Sequence, residues 1–348
     1  MSTEHEKVRE LLAAWAVGAL MPPDEKTVPL HLAACETCAA EAERLRETVR
    51  LLDGARGAGE APNGTGSRPE AAGGVLAMAL RARPAAPRVA GHAAPYAAAV
   101  TGLRSLLREL GDSRAWRTPV VHGWDVHGTV AHLIAADEPL ALRLGLDARV
   151  PPSRTGTADG PGWQDGWAAR TADVIAHERS RAPEETVSTW AAQAAALLAT
   201  PEAHDPERAA QSTTLMGVRL PVADHFLVRA FETWIHSADI GRALGLPVPP
   251  PPEPHLWQLV HLAVRILGTA LGTEAPPVLF AVTGRDRDAE WVLGSEDEPV
   301  RAELVLDPVD LCLLVGGRRT PDEVPRGASG DTTAVRNVLE RAASLAWL

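Results

Sequence analysis

Phe231-Glu232-Thr233-Trp234-Ile235-His236-Ser237-Ala238-Asp239-Ile240 sets a carboxylate and an imidazole four residues apart inside a strongly helical stretch. At helical spacing Glu232 and His236 share one face. Apolar neighbours on that face predict that the pair points inward, where two polar groups need a metal, a proton or a charge as partner. A third donor stands upstream in Gly123-Trp124-Asp125-Val126-His127-Gly128-Thr129-Val130-Ala131-His132-Leu133, where Asp125 suits a helix start and His132 follows in an apolar run. His132, Glu232 and His236 make a His2Glu set with an open coordination position, the pattern of a reactive zinc rather than a closed structural one. The plain alternative is a satisfied core histidine beside an unrelated helix ion pair.

The surrounding chain reads as long Ala/Leu-rich helices over 92–111, 125–145, 163–182, 184–200 and 221–245, enough for a four-helix bundle with a break. Pro and Gly clusters at 150–162 and 201–220 form the long connections. Behind the proline-rich 247–254, one helix is expected at 255–272. Strands follow at 278–283, 289–293 and 301–306, with helices at 307–315 and 331–345. The predicted class is therefore mainly α, with a small α+β region at the C-terminal end.

The N-terminal part carries a second donor pattern. A helix is expected over 4–20, with Val8, Leu11, Leu12, Trp15, Ala19 and Leu20 at helical spacing and Met21-Pro22-Pro23 ending it. Another begins near Asp24 and leads into His31-Leu32-Ala33-Ala34-Cys35-Glu36-Thr37-Cys38, before a longer helix through Leu45, Val49 and Leu52 to Gly54. The H-x3-C-x2-C spacing suits tetrahedral zinc, because short loops let three donors converge while the next helix fixes their direction. His5, 26 residues before His31, stands where two antiparallel helices could bring it to the same place. Residues 54–74, rich in Gly, Pro, Ala and Glu, read as a linker, followed by a short helix at about 75–83.

With 348 residues, two or three domains are expected. The formal charge of −11 argues against a general nucleic-acid or anionic-membrane binder, since both need a concentrated positive field. Three cysteines, two of them as Cys35 and Cys38, fit a reducing compartment with a metal or redox site better than a disulfide framework. Cys312, in an apolar run, reads as core. No signal-peptide pattern and no apolar run of about 18 residues occur, so a cytoplasmic location is expected. His122, His127, His177, His204, His255 and His261 have no comparable pairing and read as surface or capping residues. His225, seven residues before Glu232, is placed to line the same cavity. The tryptophans read as core. Neither a phosphate-cradling glycine loop nor a G-x-S-x-G occurs.

Two resemblances sharpen these expectations. His5, His31, Cys35 and Cys38 on their helices resemble the zinc-binding anti-sigma family, which implies that these four hold a structural zinc in a domain spanning 1–54. It also implies an alternative sigma factor as partner, with the helix at 75–83 helping to wrap it. Redox-sensing members carry a cysteine upstream, where this chain has His5. The stretches Arg114-Ala115-Trp116, Gly123-Trp124-Asp125, His132-Leu133 and 231–245 resemble the mycothiol-dependent maleylpyruvate isomerase family, whose metal-binding domain is a DinB-like four-helix bundle. That resemblance carries a zinc triad onto His132, Glu232 and His236, matches Asp239, and places an arginine, Arg318 or Arg319, near the active site. It implies a bundle domain at 92–248, after a linker at 55–91, and a helix plus α+β domain at 249–348. Together they imply a zinc-binding regulator whose isomerase-like region senses a small thiol or electrophile. The alternative is a zinc-dependent, mycothiol-using isomerase or thiol transferase with an accessory zinc domain.

Overall fold

The computed structural model describes residues 3–16, 20, 24–52, 88–111, 114–152 and 163–345. The linker at 54–74 and the helix expected at 75–83 lie outside them. The fold is mainly helical with a small sheet region toward the C-terminus, and it separates into two compact units, Met1–Arg83 and Pro84–Leu348.

The first unit is built from α1 (Thr3–Ala16), α2 (Asp24–Ala34) and α3 (Glu36–Leu52), each packed on the other two. Residues i and i+4 supply its core: Val8 and Leu12 from α1, Cys38 and Ala42 from α3, with Val28 from α2. Arg46 lies 3.7 Å over the Trp15 ring, a cation–π contact that covers the edge of a very small core.

The second unit begins with α4 (Ala94–Arg108). A single 3-10 turn (Ala115–Arg117) leads to the hairpin β1 (Pro119–Val121) and β2 (Trp124–Asp125), and then to α5 (Val126–Arg143). Asp125 caps α5, its Oδ1 accepting from Gly128 N at 2.8 Å, which satisfies one of the otherwise unpaired first-turn donors. Helices α6 (Trp163–Glu178) and α7 (Pro183–Leu198) follow. Two one-turn helices, α8 (Pro201–His204) and α9 (Pro206–Ala209), precede the hairpin β3 (Ser212–Leu215) and β4 (Val218–Pro221). The longest helix, α10 (Val222–Leu244), completes the bundle. Its four members close a ring, α4 on α10, α10 on α5, α5 on α7 and α7 on α4, with α6 packed on the outside of α5.

Helix α11 (Glu253–Leu271) then covers α10. The sheet has order β6-β5-β7-β8, from β5 (Val278–Thr283), β6 (Asp288–Leu293), β7 (Ala302–Leu306) and β8 (Gly327–Gly330); β5 and β7 are parallel and the other pairs antiparallel. Helices α12 (Pro308–Val315) and α13 (Thr332–Ala343) pack with α11 and β5. Buried positions alternate along β5 and β7, as a sheet covered on one face requires. One continuous core includes Phe226 and Ile235 of α10, Trp257 and Leu267 of α11, Phe280 of β5 and Leu339 of α13. Cys312 is within it, and burial pushes its thiol up to about 12.

Two expectations change. The segment 201–220 is more than a connection, since it holds α8, α9 and a hairpin. Strand β8, fully exposed and glycine-ended, has no hydrophobic alternation to reveal it. Both small hairpins turn on two residues with positive φ, His122 (54°) with Gly123 (76°) and Met216 (50°) with Gly217 (74°). That geometry matches the twist of paired strands, but only one residue of each pair is a usual occupant.

Candidate metal centres

Helix α5 carries His132 and helix α10 carries Glu232 and His236, so the contact between two bundle helices assembles the triad. All three are essentially inaccessible to solvent. One donor atom from each lies within 4.8 Å of the others. His132 Nε2 is 2.9 Å from Glu232 Oε1, and the two imidazole rings stand edge to face with centroids 4.9 Å apart. His236 Nε2 and His132 Nδ1 are buried without a hydrogen-bond partner. A buried imidazole nitrogen left unpaired is costly, and a cation at this point would satisfy it. The residues present therefore fit a divalent ion.

Neighbours set the charge and direction of each donor. Burial alone would push the Glu232 carboxyl up, but the Arg229 guanidinium, helped by His132, holds it down at about 2. Arg229 sits one turn earlier on α10, 2.6 Å from Glu232 Oε2, and also donates to the Ala136 carbonyl of α5. His236 Nδ1 faces Asp239 Oδ2 at 3.3 Å. The Asp239 carboxyl, opposed by its own burial, is lowered to about 2 by His236 and Arg318. Burial lowers His236 itself to about 4 against the pull of Asp239, so its ring is neutral at pH 7. With Nδ1 protonated toward Asp239, the Nε2 lone pair is turned toward His132 and Glu232, the arrangement metal-binding histidines use. Further along, Tyr96 donates to Asp137 at 2.6 Å. Burial raises the Asp137 carboxyl to about 7 despite Arg229 nearby.

Arg318 reaches the site from the loop after α12, with Nη2 2.6 Å from Asp239 Oδ2 and 3.5 Å from His236 Nδ1. Arg319 pairs instead with Asp310 Oδ1 at 3.1 Å on α12 and is not brought to the triad. Arg318 is thus the arginine at the site, and its guanidinium is held by Asp239. His225 is also placed elsewhere. Its Nε2 meets the Thr213 carbonyl at 3.1 Å, and it lines an apolar cavity of about 90 Å³ between β3, β4, α10 and α11.

Two residues read as plain core are site walls. Trp124 stacks on His132 with centroids 4.5 Å apart, and Trp167 meets the same ring edge-on at 5.8 Å. Both are only half-buried. Trp124 sits next to the Asp125 cap, so the spacing from cap to His132 could have pointed to it. Arg229 was legible in principle as a cation one turn before Glu232 on a helix with apolar neighbours.

In the first unit His5, His31, Cys35 and Cys38 also converge within 4.8 Å. His5 Nδ1 is 3.7 Å from both sulfurs, and the two imidazoles are 5.4 Å apart. Donors on a tetrahedral zinc with ordinary Zn–N and Zn–S bonds are separated by about 3.6 Å, so this cluster has the dimensions of a closed site. Both cysteines are free thiols, and His31 Nε2 is buried without a partner. Backbone hydrogen bonding at Cys38 lowers the Cys35 thiol, whereas burial raises that of Cys38.

Residues 96–241 match the family described as "Mycothiol maleylpyruvate isomerase N-terminal domain". The matched segment contains the whole triad and Asp239. An uncharacterized protein of Mycobacterium tuberculosis, found in two strains, is 26% identical over 227 residues, spanning 62% of this chain and 81% of its own length. Among solved structures, the mycothiol-dependent maleylpyruvate isomerase is similar with a TM-score of 0.47 at 15% identity, over 69% of this chain and 93% of that one. A mutant of the same enzyme gives 0.46 over the same shares. Among the described residues no helix is long and apolar enough to cross a membrane.

Proposed function

We propose that the triad centre binds zinc and takes the thiol of mycothiol at its open position, making the second unit a thiol-dependent isomerase or thiol transferase. The observation that carries this is a buried His132–Glu232–His236 cluster with an unpaired imidazole nitrogen, set inside the segment that matches the isomerase domain. A divalent ion held by His132, Glu232 and His236 would lower the pKa of a thiol bound beside it. The chain's own residues do the rest. Glu232 stays ionised through Arg229, and Asp239, itself held by Arg318, accepts from His236 Nδ1 and leaves Nε2 free. Trp124 and Trp167 wall the His132 side and restrict water, which strengthens every charge interaction inside. The Arg318 guanidinium, already neutralised by Asp239, orients the site; a substrate carboxylate would have to compete with Asp239 for it.

This reading is tested by titrating mycothiol into metal-loaded full-length protein and following conversion of maleylpyruvate. Saturable binding and thiol-dependent turnover that both vanish on chelation are expected. Turnover without thiol, or thiol binding that survives chelation, would sink it.

A second reading is favoured by the four-donor cluster of the first unit. We infer that His5, His31, Cys35 and Cys38 hold a structural zinc, and that this unit docks an alternative sigma factor as the anti-sigma resemblance implies. The family match supports the thiol chemistry of the second unit more directly than it supports regulation. A His31→Ala, Cys35→Ala double variant should lose sigma-factor capture by the full chain while keeping the second unit folded; retained capture contradicts this docking.

A further inference from the structure

A second polar feature lies on another side of α5. Five residues separate His127 from His132, which turns their side chains about 140° apart on the helix. While His132 enters the triad, His127 Nε2 bonds Thr186 Oγ1 of α7 at 2.8 Å. Its ring borders an open cleft of about 690 Å³ between the 3-10 turn, the start of α5 and the α6–α7 connection.

Three guanidiniums line this cleft: Arg117, Arg179 and Arg181. Arg181 is held by the buried Glu178 at 3.0 Å and by Thr189. Arg117 and Arg179 have no side-chain ion pair or hydrogen bond among the described residues. Both act electrostatically on the His127 ring, which burial chiefly and then these two cations keep neutral against Asp125 and Glu178. Both guanidiniums border the same cleft as the ring. Arg179 Nη2 lies only 3.8 Å from where a Cβ on Gly128 would stand, so it rests against the first turn of α5. Two carboxylates also line the cleft, and neither closes it: Asp125 is engaged in capping Gly128, and Glu184 is exposed on the first turn of α7.

In a chain of net charge −11, two arginines without a side-chain partner among the described residues border one concave space. An anion in that space could bridge the two. Planar guanidiniums match paired oxygens. We propose that this cleft binds a small, doubly charged oxyanion, with Arg117 and Arg179 as its principal partners. This cleft lies apart from the triad, and anion binding there does not require the triad to be occupied.

The test uses the full-length, metal-loaded protein at constant ionic strength, titrated calorimetrically with inorganic phosphate and separately with succinate, so that phosphoryl and carboxylate ligands are distinguished. Saturable binding of at least one, with a dissociation constant of about 1 mM or tighter, is expected. The double variant Arg117→Ala, Arg179→Ala should weaken it at least about tenfold through loss of charge-assisted hydrogen bonds. Both side chains are exposed, so melting temperature and metal content should stay unchanged. An Arg208→Ala, Arg336→Ala variant, altered only in surface ion pairs elsewhere, should bind as the parent does. Absence of saturable binding, equal competition by chloride, or full affinity in the Arg117/Arg179 variant would overturn the proposal.

Discussion

Arg229 faces Glu232 across 2.6 Å in a space that water does not reach, and its loss would leave a buried carboxylate with only His132 beside it. Breaking such a pair from one side costs about 3–5 kcal/mol. A divalent ion supplies positive charge at the same carboxylate, so the penalty of Arg229→Met should fall mainly on metal-free protein. Thermal unfolding with and without zinc checks this: the variant should gain more from zinc than the parent does, and an equal loss in both forms would contradict the assigned role. His236 makes a second prediction at this scale. Its folded pKa of about 4 is below the ordinary 6.5 because burial disfavours the cation. The unfolded chain therefore binds the proton first, and stability present above pH 6.5 is lost as the pH falls through about 4. Metal-free protein should lose melting temperature steadily across that window, and His236→Gln should flatten the slope.

At the level of elements, the long helices were readable from periodicity because each buries one broad face. The edges of α5, α7 and α10 fall within two residues of where Asp125, Pro183 and Gly245 place them. The two small hairpins were not readable, since His122-Gly123 and Met216-Gly217 lack the Asn or Asp that usually precedes glycine in such turns. The triad was legible because i, i+4 spacing survives folding unchanged. Its tryptophan walls were not, because an aromatic residue beside a ligand and one in a core look alike in sequence. One helix position tests the packing directly. A Cβ on Gly241 of α10 would collide with Val248 Cγ2 and stand 2.7 Å from the Leu246 carbonyl. Alanine is the better helix former by about 1 kcal/mol, yet overpacking here costs about 1–3 kcal/mol. Gly241→Ala should therefore destabilise or be neutral in chemical denaturation; a clear gain in stability would show that the proline-rich segment yields freely.

For the whole molecule, the chain joins two donor clusters of different kinds. The four-donor cluster is closed and sits in a unit whose buried core, among the described residues, is five residues, so ligation there is expected to supply much of that unit's folding free energy. The three-donor cluster is open and sits in a bundle that shares one large core with the C-terminal sheet and its helices, so it should stay folded without its ion. Chelation should accordingly melt the first unit and leave the second cooperative, a difference that hydrogen exchange along the full chain would resolve. Elemental analysis of the full-length protein beside its His132→Ala, His236→Ala variant tests the triad as a metal centre most directly. Two divalent ions per chain in the parent and one in the variant are predicted, whereas two in both, or one in both, would contradict the triad as a metal centre.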